Sequence, residues 1–116
     1  MAKLNRDIHS AKSVPNNLLR TVWKRISNSP LPDVYAYTIG EKEFLSNLEL
    51  LQQNNRIIDT RVSEYGLSVP NELIEALTFE FKGHLIIFVK QKVPLVDALE
   101  HELRHVASWN AKNKAP

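Results

Sequence analysis

His101, Glu102 and His105 stand in the run His-Glu-Leu-Arg-His, the pattern H-E-x-x-H. Residues four apart on a helix share a face about one turn apart, so the two imidazoles can point at one ion. Glu102 sits beside them, close enough to take a proton from a metal-bound water. Zinc lowers the pKa of such a water toward neutrality, and the carboxylate that receives the proton can pass it to a leaving amine. Residue types and spacing together point to hydrolysis of a peptide bond, with His101 and His105 as Zn²⁺ ligands and Glu102 as general base. The plain alternative is a surface helix with two histidines and no metal.

The motif needs a helix, and the sequence supplies one from Pro94 to about Asn110. Leu95, Leu99, Leu103 and Val106 trace an apolar stripe suited to packing on a sheet. His101 and His105 fall beside that stripe with Ala98 and Ser108, a lane of small residues that could floor a cleft. Arg104 projects away from the histidines, and Asp97 in the first turn suits the helix dipole. Leu77 to Lys90 reads as a hairpin. Phe79 and Phe81 alternate, Lys82-Gly83 supply the turn, and Leu85 to Val89 form a continuous apolar strand.

Further upstream, Pro15 with Asn16 and Asn17 starts a helix carrying Leu18, Leu19, Val22, Trp23 and Ile26 at helical spacing. Two prolines between Ser27 and Pro32 end it. Val34 to Ile39 reads as a short strand with its tyrosines on one face. Glu41 to Gln53 reads as a helix with Phe44, Leu45, Leu48 and Leu51 inward. Asn54-Asn55 is a turn, 56–63 a strand, 66–70 a connection and 71–77 a short helix. Residues 1–13 lack a period and read as a flexible arm.

Composition narrows the chemistry. The chain has 116 residues, room for one domain, 1–116, with a thin core. It has no cysteine, which removes thiolate nucleophiles and every cysteine-held zinc or iron–sulfur centre. Any metal must be held by histidine, carboxylate or water. No apolar run reaches membrane-spanning length, and the polar start is unlike a signal peptide, so a cytoplasmic protein is expected with no membrane partner. The net charge of +2 is too small to argue for nucleic acid. The excess is uneven: Lys3, Arg6, Lys12, Arg20, Lys24 and Arg25 against Asp7 alone put a net of +5 in residues 1–29. The basic helix from Leu18 to Ile26 could meet a nucleic acid or an anionic surface, although such helices more often leave their charges in water.

The motif and the apolar strand before it resemble the zincin metallopeptidases over residues 78–110. In size and order the chain is most similar to the minigluzincins, and second to the ImmA/IrrE-type peptidases. The resemblance implies His101 and His105 as zinc ligands, Glu102 as catalytic base and a peptide or protein substrate. Zincins also require a third protein ligand, usually downstream: a glutamate from a following helix in gluzincins, or a histidine six residues after the second motif histidine in metzincins. That second position is Ala111, and none of the 11 residues after His105 is Asp, Glu, His or Cys. Upstream candidates are His84, Glu72, Glu75 and Glu80. Asp97 lies one turn before His101, in a row too straight to surround an ion. The carboxylate of Pro116, a group from a second copy in a homo-oligomer, or waters on a two-histidine site remain open.

The expected fold is a small α+β, zincin-like domain with three to four strands packed against an N-terminal helix and the C-terminal active-site helix. The expected function is that of a minimal zinc metallopeptidase. The alternative is a catalytically inactive zincin-like module that binds a protein or nucleic acid. Tyr35, Tyr37 and Tyr65 are candidate oxyanion donors or plain structural residues, Trp109 is read as core or interface, and His9 as incidental.

Overall fold

The computed structural model describes residues 11–54, 56–62 and 70–114. The start of the expected arm, His9, Asn55, Tyr65, Gly66 and Pro116 lie outside them. Within them the order is β1 (Lys12–Ser13), α1 (Asn16–Lys24), β2 (Val34–Ile39), α2 (Glu41–Gln53), β3 (Ile57–Val62), a 3₁₀ turn (Asn71–Leu73), β4 (Ile74–Phe81), β5 (His84–Lys90) and α3 (Leu95–Lys114). This is α+β, as the sequence implied. The sheet, however, has five strands in the order β1-β2-β5-β4-β3.

The sheet exceeds expectation by one added strand and one lengthened strand. Lys12 and Ser13 pair antiparallel with Thr38 and Tyr37, so the expected arm is already strand at its end. Only Asn71–Leu73 of the expected 71–77 helix turns, in 3₁₀ form, and the chain extends from Ile74. Three residues give an isolated helix no stability, whereas Ile74, Ala76 and Leu77 gain ladder bonds and burial in the sheet. The sheet is mixed. β5 pairs antiparallel with β4 through a two-residue turn, and it pairs parallel with β2 on its other side, Val34 opposite Leu85 through Ile39 opposite Lys90. Lys82 (φ 52) and Gly83 (φ 83) both take the left-handed conformation that such a tight hairpin demands.

Each face of the sheet has its own core. α1 and α3 cover one face, where Leu19, Val22 and Trp23 meet Leu99, Leu103 and Val106 over Ala36, Ala76, Leu85, Ile87 and Val89. α2 covers the other, with Phe44, Leu48 and Leu51 over Ile39, Leu77, Phe79 and Phe88. Strand alternation does the sorting: Ala76 faces α3 while Leu77 and Phe79 face α2. Trp23 also closes the proline-rich break by donating its indole N–H to the Ser29 carbonyl at 2.7 Å. Trp109 packs half-buried against the α1/α3 core, and α3 runs one turn past its expected end.

Candidate functional site

α3 begins where Pro94 sets the first turn, its carbonyl accepting from the Ala98 amide at 3.1 Å. The helix crosses β3, β4 and β5 on the face shared with α1. Ala98, Leu99, Glu102, Leu103 and Val106 are the residues it buries. The inward stripe is therefore the expected one with a carboxylate in the middle of it. Ala98 belongs to the core, so the lane of small residues is not the floor of an open cleft.

His101 and His105 lie on the outer flank. Their rings are 4.9 Å apart, centre to centre, and tilted by 53°. The His101 side chain is 38% exposed, and His105 is exposed. Rings one turn apart and open to solvent can offer two nitrogens to one ion.

Glu102 has 0% exposure. Its carboxylate accepts a hydrogen bond from the Thr78 hydroxyl on β4, itself fully buried, and its second oxygen lies 3.9 Å from His101 Nε2. A carboxylate taken out of water is costly unless hydrogen bonds and a nearby positive group compensate. Thr78 supplies such a bond, and the His101 ring stands where a proton or a cation would add to it. No sequence signal singled out Thr78. The available one is slight: a polar residue at a strand position that alternation turns toward the motif helix.

The upstream candidates for a third ligand do not converge on the histidine pair. His84 is on the α2 side of the sheet, 2.7 Å from Asp33 Oδ2 and edge-on to the Tyr35 ring. Glu75 is paired with Arg61 at 3.3 Å, and Arg61 also donates to the Asp97 carbonyl at 2.9 Å. Glu72 sits in the 3₁₀ turn and Glu80 is an exposed residue of β4. Among the described residues no group of three His, Asp or Glu side chains could hold a metal ion. The two motif histidines stand side by side with rings 4.9 Å apart, and the described residues assemble no three-ligand set around them.

The candidate oxyanion donors are also placed elsewhere. Tyr37 packs edge-on to Phe88, on the face of the sheet opposite α3, and strand alternation puts Tyr35 on that same face. Arg104 points to solvent as expected, 3.1 Å from Glu100 one turn back. On α1, Arg20 and Lys24 are exposed and line a groove with Trp23, Ser27 and Pro30. Among the described residues no helix is long and apolar enough to cross a membrane.

Comparison with protein-family models, with curated proteins and with solved structures returns no match.

Proposed function

We propose that the chain is a metal-dependent peptidase of the zincin type, with His101 and His105 as the protein's ligands to zinc and Glu102 as the general base. One observation carries this reading. A fully buried glutamate lies in the motif helix, bonded to Thr78 and 3.9 Å from the nearer motif histidine. An apolar side chain would fill that position at lower cost, and buried ionisable groups with a specific partner cluster at functional sites.

When bound, zinc would supply a polarised water and a Lewis acid for the peptide carbonyl. The chain's own residues do the rest. His101 and His105 orient from adjacent turns. Glu102 receives a proton from the nucleophile and returns it to the leaving nitrogen. Thr78 holds the Glu102 carboxylate by one oxygen, leaving the other on the His101 side. Leu99 and Leu103 anchor the helix on the sheet, so the three motif side chains keep their relative placement.

The test is cleavage of unstructured protein substrates by the full chain supplied with Zn²⁺, beside Glu102→Gln. Expected is cleavage by the wild type that falls by roughly 10²-fold or more in the variant. Cleavage that survives the substitution overturns the role of Glu102. The second reading, a zincin-like module that binds a partner without hydrolysis, is favoured by the lack of a three-ligand group among the described residues. Absence of cleavage under every metal condition would select it.

A further inference from the structure

β2 and β5 are adjacent and parallel, yet the helices that follow them go to opposite faces: α2 after β2, α3 after β5. Two parallel neighbours whose crossovers diverge leave a crevice outside their carboxyl ends, the place where open α/β sheets bind ligands. Here that crevice has a volume of about 400 Å³. It is lined by Glu41 at the start of α2, by Lys90, Gln91, Lys92 and Val93 leaving β5, and by Glu72, Leu73 and Glu75 from the neighbouring turn and β4. The Gln91 amide donates to the Ile39 carbonyl at 2.9 Å, holding the two strand ends together behind it.

The charges of this lining are largely spoken for, and the remainder is specific. The Lys90 side chain is only 8% exposed. Its ammonium donates to the Glu72 carbonyl at 2.6 Å, lies 3.6 Å from Glu41 and sits 5.3 Å over the Phe44 ring. Glu75 is taken by Arg61 at 3.3 Å. Among the described residues, no ion pair engages the carboxylate of Glu72 or the ammonium of Lys92. One negative and one positive side chain thus face the same crevice with their charges uncommitted. Lys92 is held there by a backbone at φ 77, a left-handed conformation that is unusual for lysine. Among the described residues the acidic side chains do not form a metal-binding group, and a ligand complementary to Glu72 and Lys92 would carry both signs of charge.

We propose that this crevice binds a small zwitterion, an amino acid or short peptide, with its ammonium toward Glu72 and its carboxylate toward Lys92. The inference shares no residue with the His101, Glu102, His105 site and does not depend on the metal reading.

The test is a ¹H–¹⁵N titration of the full chain, with EDTA present, against glycylglycine, ethylamine and acetate in parallel. Expected are saturable shifts of the Glu41, Gln91, Lys92 and Val93 amides with glycylglycine, and binding weaker by about tenfold or more for each single-charge probe. Glu72→Gln and Lys92→Gln change exposed side chains, should leave the spectrum otherwise intact, and should each weaken glycylglycine by a similar factor. No saturable shift at these amides overturns the proposal. Ethylamine or acetate binding as tightly as glycylglycine overturns the zwitterion assignment, as does unchanged affinity in the double variant.

Discussion

Thr78 on β4, the first strand of the hairpin, donates its hydroxyl to the carboxylate of Glu102, 24 residues later, and both side chains are fully buried between sheet and helix. This bond ties the motif to the sheet. It makes Thr78 a positioning residue for Glu102 rather than a participant in any reaction.

Thr78→Val keeps the shape and removes the donor, leaving one Glu102 oxygen buried without that bond. A loss of about 1–3 kcal/mol in unfolding free energy is expected, read from urea denaturation. Thr78→Ser retains the hydroxyl and should cost less, about 0.8 kcal/mol for the lost methyl. If valine proves as stable as wild type, the bond does not compensate the buried carboxylate.

Zinc retention depends on both histidines if they form the metal pair. Wild-type protein equilibrated with Zn²⁺ and desalted should retain metal by elemental analysis, while His101→Ala and His105→Ala should each retain little. A two-histidine site should also release its ion readily to a chelator, because a catalytic zinc normally has three protein ligands. Equal metal in all three proteins would end the assignment. Stoichiometric zinc that resists chelation would instead require a third ligand from elsewhere.

The two variable positions inside the motif should behave in opposite ways. Leu103 is fully buried against the sheet, and Leu103→Ala should cost about 2–5 kcal/mol through lost transfer and the cavity left behind. Arg104 is exposed and, among the described residues, pairs with Glu100, and Arg104→Ala should stay within about 0.5 kcal/mol. Thermal or urea unfolding of the two variants checks the orientation of the helix. Similar losses would mean that the motif faces the sheet differently.

Tyr35 reports on the Asp33–His84 corner. Interaction of the phenol with the Asp33 side chain and its negative charge holds it above the ordinary tyrosine range. A group raised in the folded state lends stability that is complete below its unfolded pKa and fades as pH climbs through the folded one. In an ultraviolet titration of tyrosinate Tyr35 should therefore titrate late, and Asp33→Asn should bring it back toward the usual value. No change on that substitution would refute the contact.

Much of the fold was legible from local pattern. The Lys82-Gly83 turn, the apolar run from Leu85 to Val89 and the 3.6-residue period of Leu99, Leu103 and Val106 each carry their structure within a few residues. The misreadings came where long-range pairing overrode local preference. Ile74–Leu77 is strand because β3 and β5 lie on either side of it, and Lys12–Ser13 is strand because β2 offers an edge. The zincin resemblance rests on sequence alone, since comparison with known families and structures returned no match.

By itself the sequence determined which side chains share a helix face: His101 and His105 are four apart, and helix geometry puts them one turn from each other whatever the rest of the chain does. It also excluded cysteine chemistry, by composition. Only the tertiary structure decided the rest. It turned Glu102 inward onto Thr78 and left the histidines at the surface. It sent His84 to the opposite face of the sheet and gave Glu75 to Arg61. It set β2 beside β5 so that a crevice opens at Lys90. Helix spacing is a property of the local backbone. Which residues of distant segments meet depends on strand order and on which face each helix covers, and those follow from burying two separate apolar surfaces against one sheet.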